Sequence, residues 1–275
     1  MNAEAARNRL ACWTGAAAFL VLFAGGLVTS TGSSLAVPDW PLAYGRFFPV
    51  MTGGVLFEHG HRMAAGLTAV LVWVLAAWTH KAESRPWVRS MMAASALGIA
   101  AQAVLGGATV LWGLPHAVSI AHACLGQALF ALVVATAQST TPWFMARRAA
   151  AGRPWAPAAL AVGALFAQLV LGATMRHTGT ALPWHLAGAV LTFWAVSRAA
   201  LDGLHSGRGS LRGVSTALML ATLAQVFLGF GALAARHLRA INLLALLPTA
   251  HQATGALLLA AATVLALRAG REEAV

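Results

Sequence analysis

Charged side chains are scarce in this chain. Asp, Glu, Lys and Arg make up 9% of its 275 residues, against 59% apolar ones. A water-soluble domain carries about 25% charged residues, so this composition excludes an ordinary solvated globular surface. Only 7 of the charges are acidic, and the interiors of the last six apolar runs hold no carboxylate. That argues against a transporter with a polar route through the bilayer. Cysteine is nearly absent too. Cys12 and Cys124 both fall inside apolar runs, so no disulfide framework is expected and each reads as a small buried hydrophobe.

What fills the sequence instead is a set of eight apolar stretches, 10–30, 60–79, 90–111, 116–138, 155–175, 181–201, 214–235 and 243–267. Each is near the roughly 20 residues a helix needs to cross a bilayer. The fold class expected is an all-α polytopic membrane protein with eight transmembrane helices. The net charge of +11 could suit a nucleic acid, but its distribution points elsewhere. Arg7, Arg9, Lys81, Arg85, Arg89, Arg147, Arg148, Arg153, Arg198, Arg208, Arg212, Arg268 and Arg271 all fall on one side of an even-span topology. The positive-inside rule places that side, with both termini, in the cytoplasm. The first run is longer than a signal-peptide core and has no clean small-x-small cleavage site, so a retained helix is expected.

The segment 29–57 is too long for a simple external hairpin. It contains Gly32, Pro38-Asp39-Trp40-Pro41, Gly45 and Pro49, which signal a rigid loop. Trp40, Tyr44, Phe47 and Phe48 suit the aromatic level of a membrane interface. The loop reads as a plug on the membrane surface, or as a flap over something bound beneath it. The second half of the chain then repeats the first. Gly25, Thr29, Thr31, Gly32 and Leu35 are echoed by Gly172, Arg176, Thr178, Gly179 and Leu182 at a constant offset of 147. Gln168 to Gly172 and Gln225 to Gly229 repeat the spacing of Gln102 to Gly106, in which both residues share a helix face. His185 opens span six as His61 opens span two, and His251 lies in span eight as His122 does in span four. Parallel repeats follow, related by an axis along the membrane normal. The halves are 1–145 and 146–275.

Imidazoles in spans two, four, six and eight demand a task, because ionisable groups inside a membrane are costly. A haem iron takes ligands on both faces of its ring, and histidines from two helices supply them. Another metal, polar packing or proton transfer remain as alternatives at this level. His61, His122, His185 and His251 are the candidate metal ligands. The short stretch Glu58-His59-Gly60-His61-Arg62 adds an acid and a guanidinium to the first pair only. In the second half Leu182 and Leu186 stand at the corresponding positions. Glu58 is therefore a candidate proton carrier beside His61, or half of a helix-end ion pair with Arg62. His59 points away from His61 and reads as interfacial. Arg176, Arg236, His177, His237 and Arg239 lie in external connections, where the arginines suit carboxylate groups.

The motif Thr31 to Pro41, the run Glu58 to Arg62, Gln102 with Gly106-Gly107, His122 with Gln127, Leu171 to Gly179 and His251-Gln252 together resemble the haem A synthase family. The resemblance covers essentially the whole chain. It implies two pseudo-symmetric four-helix bundles. The C-terminal one would bind a haem b cofactor through His185 and His251, with Arg176, Arg236, Gln168 and Gln225 around it. The N-terminal one would bind haem O as substrate at His61 and His122, with Glu58 as the catalytic carboxylate. The implied reaction oxidises a ring methyl group of haem O to a formyl group by successive hydroxylations. The implied partners are haem O synthase, a quinol or other membrane electron donor and haem-copper oxidase assembly, in a bacterial cytoplasmic membrane. A dihaem cytochrome b-type electron-transfer protein is the alternative. Unlike some relatives, this chain has no cysteine in its long loop, which removes disulfide control.

Overall fold

The computed structural model describes residues 3–146, 156–238 and 240–271, without the side chains of 241 and 242. The expected boundary between the halves, with Arg147, Arg148 and Arg153, lies outside the described residues, as does Arg239. The described chain is helical: α1 (Ala3–Ser30), α2 (Gly53–Ala82), α3 (Pro86–Leu111), α4 (His116–Ser139), α5 (Pro142–Met145), α6 (Ala156–Thr178), α7 (Leu182–His205), α8 (Gly209–His237), α9 (Ile241–Leu244) and α10 (Leu246–Ala269).

Seven of these helices are long and apolar enough to cross a membrane. The chain is an all-α, multi-pass membrane protein. Of the eight expected spans, α7 is long but falls short in apolarity, because Pro183, Trp184, His185, Arg198 and Asp202 dilute it. The helices are apolar on their outward faces. Trp13, Leu20, Leu97, Leu191 and Phe227 are all more than half exposed, a surface that hydrocarbon solvates and water does not. The buried seams are instead built from small residues. Ala158, Ala161, Ala199, Ala200 and Ala262 pack with Leu211, Leu218 and Leu265. Small side chains let helix backbones approach closely where no hydrophobic drive separates protein from lipid.

The first four long helices pack in a ring, α1 on α2, α2 on α3, α3 on α4 and α4 back on α1. Helices α6, α7, α8 and α10 pack in the same cyclic order. Contacts of α4 with α6 and α10, and of α1 with α10, join the two rings. The connections follow local chemistry. Gly113 and Leu114 take positive φ between α3 and α4, ahead of Pro115. Only 179–181 connects α6 to α7, where Gly179 and Ala181 both adopt φ near +70°, and Pro183 then starts the helix in its first turn. The long loop runs over 31–52, shorter than the expected 29–57, because α2 starts at Gly53 and takes the polar run Glu58 to Arg62 into its second and third turns. The expected span opens at residue 60, so the helix begins seven residues earlier than hydropathy indicates and takes in Glu58 and His59. Cys124 is buried as expected, but Cys12 is exposed on the outer face of α1.

At the end opposite this loop, arginines tie helix termini together. Glu83, just past α2, accepts from Arg85 Nε at 2.8 Å and from the buried Arg7 Nη2 at 3.0 Å. Arg85 also donates to the Ser139 carbonyl, and Arg268 of α10 reaches Gln138 Oε1 of α4. Arg208 donates to the terminal carbonyls Arg268, Ala269 and Arg271 of the last helix, where the helix dipole favours positive charge. The hydrogen bonds from Arg85, with the charge of Arg7 behind them, hold the Glu83 carboxyl down at about 2. Because that value lies below the ordinary 4.5, the stabilisation is fully present above pH 4.5 and is lost as pH falls toward 2. Replacing Glu83→Gln leaves the 2%-exposed Arg7 without its counter-charge, which costs about 3–5 kcal/mol. The expected outcome is a lower Tm in detergent at pH 7, with a flatter acid dependence than the parent, measured by thermal unfolding between pH 7 and pH 3.

Candidate functional site

Each of four histidines leans on a glycine of the neighbouring helix. A Cβ built on Gly25 of α1 would stand 2.9 Å from Cε1 of His61 in α2. One on Gly106 of α3 would stand 3.1 Å from His122 in α4, one on Gly172 of α6 3.0 Å from His185 in α7, and one on Gly229 of α8 2.9 Å from His251 in α10. Carbon atoms pack best at about 3.5–4.0 Å, so any side chain at these positions would push the imidazole aside. A glycine inside a helix costs about 1 kcal/mol relative to alanine. Here it is spent on ring placement, at the same point of four helix pairs. The glycine at 106 serves the approach of His122.

Glutamines complete three of the four placements. Gln102 Nε2 donates to the His122 carbonyl at 2.9 Å. Gln168 Nε2 donates to the His185 carbonyl at 2.8 Å and lies 3.0 Å from its Nδ1. His251 Nδ1 donates to the Gln225 carbonyl at 3.1 Å, with the Gln225 amide 3.5 Å from the ring's other nitrogen. Gln168 and Gln225 thus lie at the two rings for which they were proposed. The Nδ1 atoms of His61 and His122 are buried and without a hydrogen-bond partner. The His185 and His251 rings face one another with centroids 6.2 Å apart and planes 83° to each other. His61 and His122 are close enough to interact electrostatically.

Above the first pair sits the acid. Glu58 is 3% exposed. Its Oε2 accepts the Val37 N–H at 2.8 Å and its Oε1 accepts Arg62 Nη2 at 2.5 Å. Arg62 Nη1 donates onward to the carbonyls of Asp39 at 2.6 Å and Leu42 at 3.0 Å. The pair one helical turn apart therefore grips the loop 37–42 from below. Asp39 accepts the N–H groups of Gly45 and Tyr44, which hold its carboxyl below the usual range. The Trp40 ring lies flat against Gly107 of α3, where a Cβ would come within 2.8 Å of it. His59, expected at the interface, is instead 3% exposed and its Nε2 donates to the Phe47 carbonyl at 2.8 Å. Nothing in the sequence signalled that bond, since it depends on where the loop folds back. The aromatics Tyr44, Phe47 and Phe48 remain exposed.

Arg176 lies in the last turn of α6 and is committed to the joint between the rings. It donates to the Gly26 carbonyl at 2.9 Å, Ser30 Oγ at 2.6 Å and the Pro248 carbonyl at 3.3 Å. Ser30 also bonds Thr249 Oγ1 at 2.9 Å. Arg236 and His237, at the end of α8, are exposed. His177, in the last turn of α6, is half-buried. Trp184 and Leu186, on either side of His185 in sequence, point outward and are exposed.

No protein-family model matches the chain. Curated relatives do. The Heme A synthase of Bacillus pumilus is 36% identical over 118 residues, 42% of this chain and 38% of the relative. That of Bacillus licheniformis is 35% identical over 120 residues, 43% and 40%, and that of Shouchella clausii 32% over 130 residues, 46% and 43%. Over these stretches the chain is similar to haem A synthases. The matches span about two fifths of those relatives' length.

The relationship raises the question whether the residues fit a haem. Metal–imidazole bonds are about 2 Å long, so two rings on opposite sides of one metal have centroids about 6 Å apart. The 6.2 Å between His185 and His251 meets that. His251 Nδ1–H donates to the Gln225 carbonyl, an outer contact of the kind that orients ligating histidines, and His185 Nδ1 lies against the Gln168 amide. Among the described residues no cluster of three or more His, Cys, Asp or Glu side chains could hold a metal ion, and a ring that brings its own four nitrogens asks for two axial ligands alone.

The grip of Arg62 on the loop gives a direct check. Arg62→Met removes the hydrogen bonds to Asp39, Leu42 and Val37 and leaves Glu58 buried without its counter-ion. Limited proteolysis is expected to cut the variant within 37–49 at least tenfold faster than the parent, with the helices remaining protected. Equal cleavage rates would show that the loop is held by something else.

Proposed function

We propose that the protein is a haem A synthase, which oxidises the ring methyl group of haem O to a formyl group through successive hydroxylations. The observation that carries this reading is the paired imidazoles, each backed by a glycine, with the second pair spaced for a common metal. The sequence relationship to haem A synthases supports it. In this reading eight spans form two pseudo-symmetric four-helix bundles in a bacterial cytoplasmic membrane, with both termini inside. The identical packing order of the two rings and the arginine-rich end opposite the loop support that orientation.

His185 and His251 would hold haem b, oriented by Gln168 and Gln225, and His61 and His122 would hold haem O beneath the loop. When bound, haem b supplies one-electron transfer, drawn from a quinol or another membrane donor. Haem O synthase would deliver the substrate, and haem-copper oxidase assembly would take the product. The chain's own contributions are more specific. Trp40 and the 37–42 segment cover the outer end of the first bundle and exclude water from it. Glu58 and Arg62 hold that cover down. Each Glu58 oxygen accepts one hydrogen bond and keeps a second lone pair, so the acid can take up a proton while it still holds the cover. Arg176 locks the two bundles at their loop ends, fixing the second site relative to the first; its charge and that of Arg236 would favour haem carboxylates nearby.

One observation favours a second reading. Both Glu58 oxygens accept hydrogen bonds from within the protein, as in a purely structural ion pair, and a dihaem cytochrome b-type electron-transfer protein needs no reactive acid. Haem extraction and mass analysis from cells that also make haem O separate the two. The proposed function predicts haem A or its hydroxylated precursor with the parent protein. It predicts haem b loss in His185→Ala and His251→Ala, and retained haem with at least 100-fold less product in Glu58→Gln, as for loss of a general acid–base group. Two haems without any oxidised product would favour electron transfer.

A further inference from the structure

The four histidine sites share their glycine backing but differ in one respect. Counting four residues back from each backing glycine gives Gln102, Gln168 and Gln225, but Val21 in α1. The helix that carries each histidine shows the matching difference. Gly126 lies against Gln102 Nε2, where a Cβ would come within 2.9 Å. Gly188 lies against the Gln168 side chain, and Gly255 against Gln225 Nε2 at 3.4 Å from a built Cβ. These glycines follow their histidines by three or four residues and leave room for the amide. Four residues after His61 the chain has Ala65. Thus the glutamine and the glycine that receives it are replaced together, by a valine and an alanine, at His61 alone.

The consequence is a difference in tether. At His122 and His185 the amide grips the histidine's carbonyl, and at His185 and His251 it also lies at the ring. His61 has no such amide; its Nδ1 is buried without a hydrogen bond, as is that of His122, so the two sites differ in the amide on the histidine's carbonyl alone. The steric backing is the same as elsewhere, 2.9 Å from Gly25, so the missing element is the amide rather than the space.

We propose that Val21 and Ala65 make His61 the exchangeable imidazole of the first pair, so that a small exogenous ligand enters on the α2 side while His122 stays in place. This rests on the reading of His61 and His122 as axial haem ligands. It assigns Val21 and Ala65 as positioning residues, which act by what they withhold from His61.

Cyanide titration of the full-length ferric protein, purified with haem at both sites and followed by its absorption spectrum, tests this. The parent is expected to bind cyanide at one haem of the two. The double variant Val21→Gln/Ala65→Gly, which restores the amide and its receiving glycine, is expected to bind it about tenfold more weakly, the worth of one net hydrogen bond. Gln102→Val should loosen His122 and strengthen cyanide binding, which gives a second reading if the double variant does not fold. His61→Ala should keep its haem and recover a low-spin spectrum on addition of free imidazole, while His122→Ala should lose it. Haem at the first pair with cyanide affinity unchanged by all of these substitutions would overturn the proposal alone. A protein that holds no haem between His61 and His122 would overturn the underlying reading as well.

Discussion

The contact between a histidine ring and a bare glycine on the next helix sets the rest of this structure. It brings two helices together at a fixed height, and it recurs at Gly25–His61, Gly106–His122, Gly172–His185 and Gly229–His251. Once those distances are set, helix pairing, ring order and the facing of His185 on His251 follow. In a bilayer no hydrophobic gain favours one helix partner over another. Close packing of small residues and a few polar bonds must specify the fold, and here the same glycines that specify the packing also aim the imidazoles.

The two halves share this frame and differ in what covers it. The second has a three-residue turn, 179–181, between α6 and α7. The first has a folded loop held by Glu58 and Arg62 through Val37, Asp39 and Leu42. A buried ion pair is weak support for overall stability but a strong constraint on geometry, because removing either partner strands the other. That suits a cover whose closed position must be defined yet reversible. It also recasts Glu58, because the acid is part of what holds the loop down.

Much of this was legible in the residues. Repeats at an offset of 147 and glutamine–glycine spacings of four predicted a duplicated helical frame, and Gly106, Gly172 and Gly229 each lie against a histidine of the next helix in the ring. Span limits read short, because hydropathy ends where polar residues begin, and Glu58 and His59 are polar residues inside a helix. Cys12 read as buried, although a bilayer accepts a small hydrophobe on the outer face equally well. His59 and Arg176 were read from their neighbours in sequence, yet their partners are Phe47, Gly26, Ser30 and Pro248. Such long-range bonds depend on how the loop and the two rings meet, which local spacing does not encode. Val21 carried no signal of its own, since its meaning lies in what three other sites have at the same place.

The central claim is that His185 and His251 hold one iron between them. Electron paramagnetic resonance of the purified ferric protein tests it most directly, because the 83° between the two ring planes predicts a strongly anisotropic low-spin signal. That signal should vanish in His251→Ala and persist in His61→Ala. A signal that survives loss of His251, or a high-spin iron in the parent at both sites, would contradict the account.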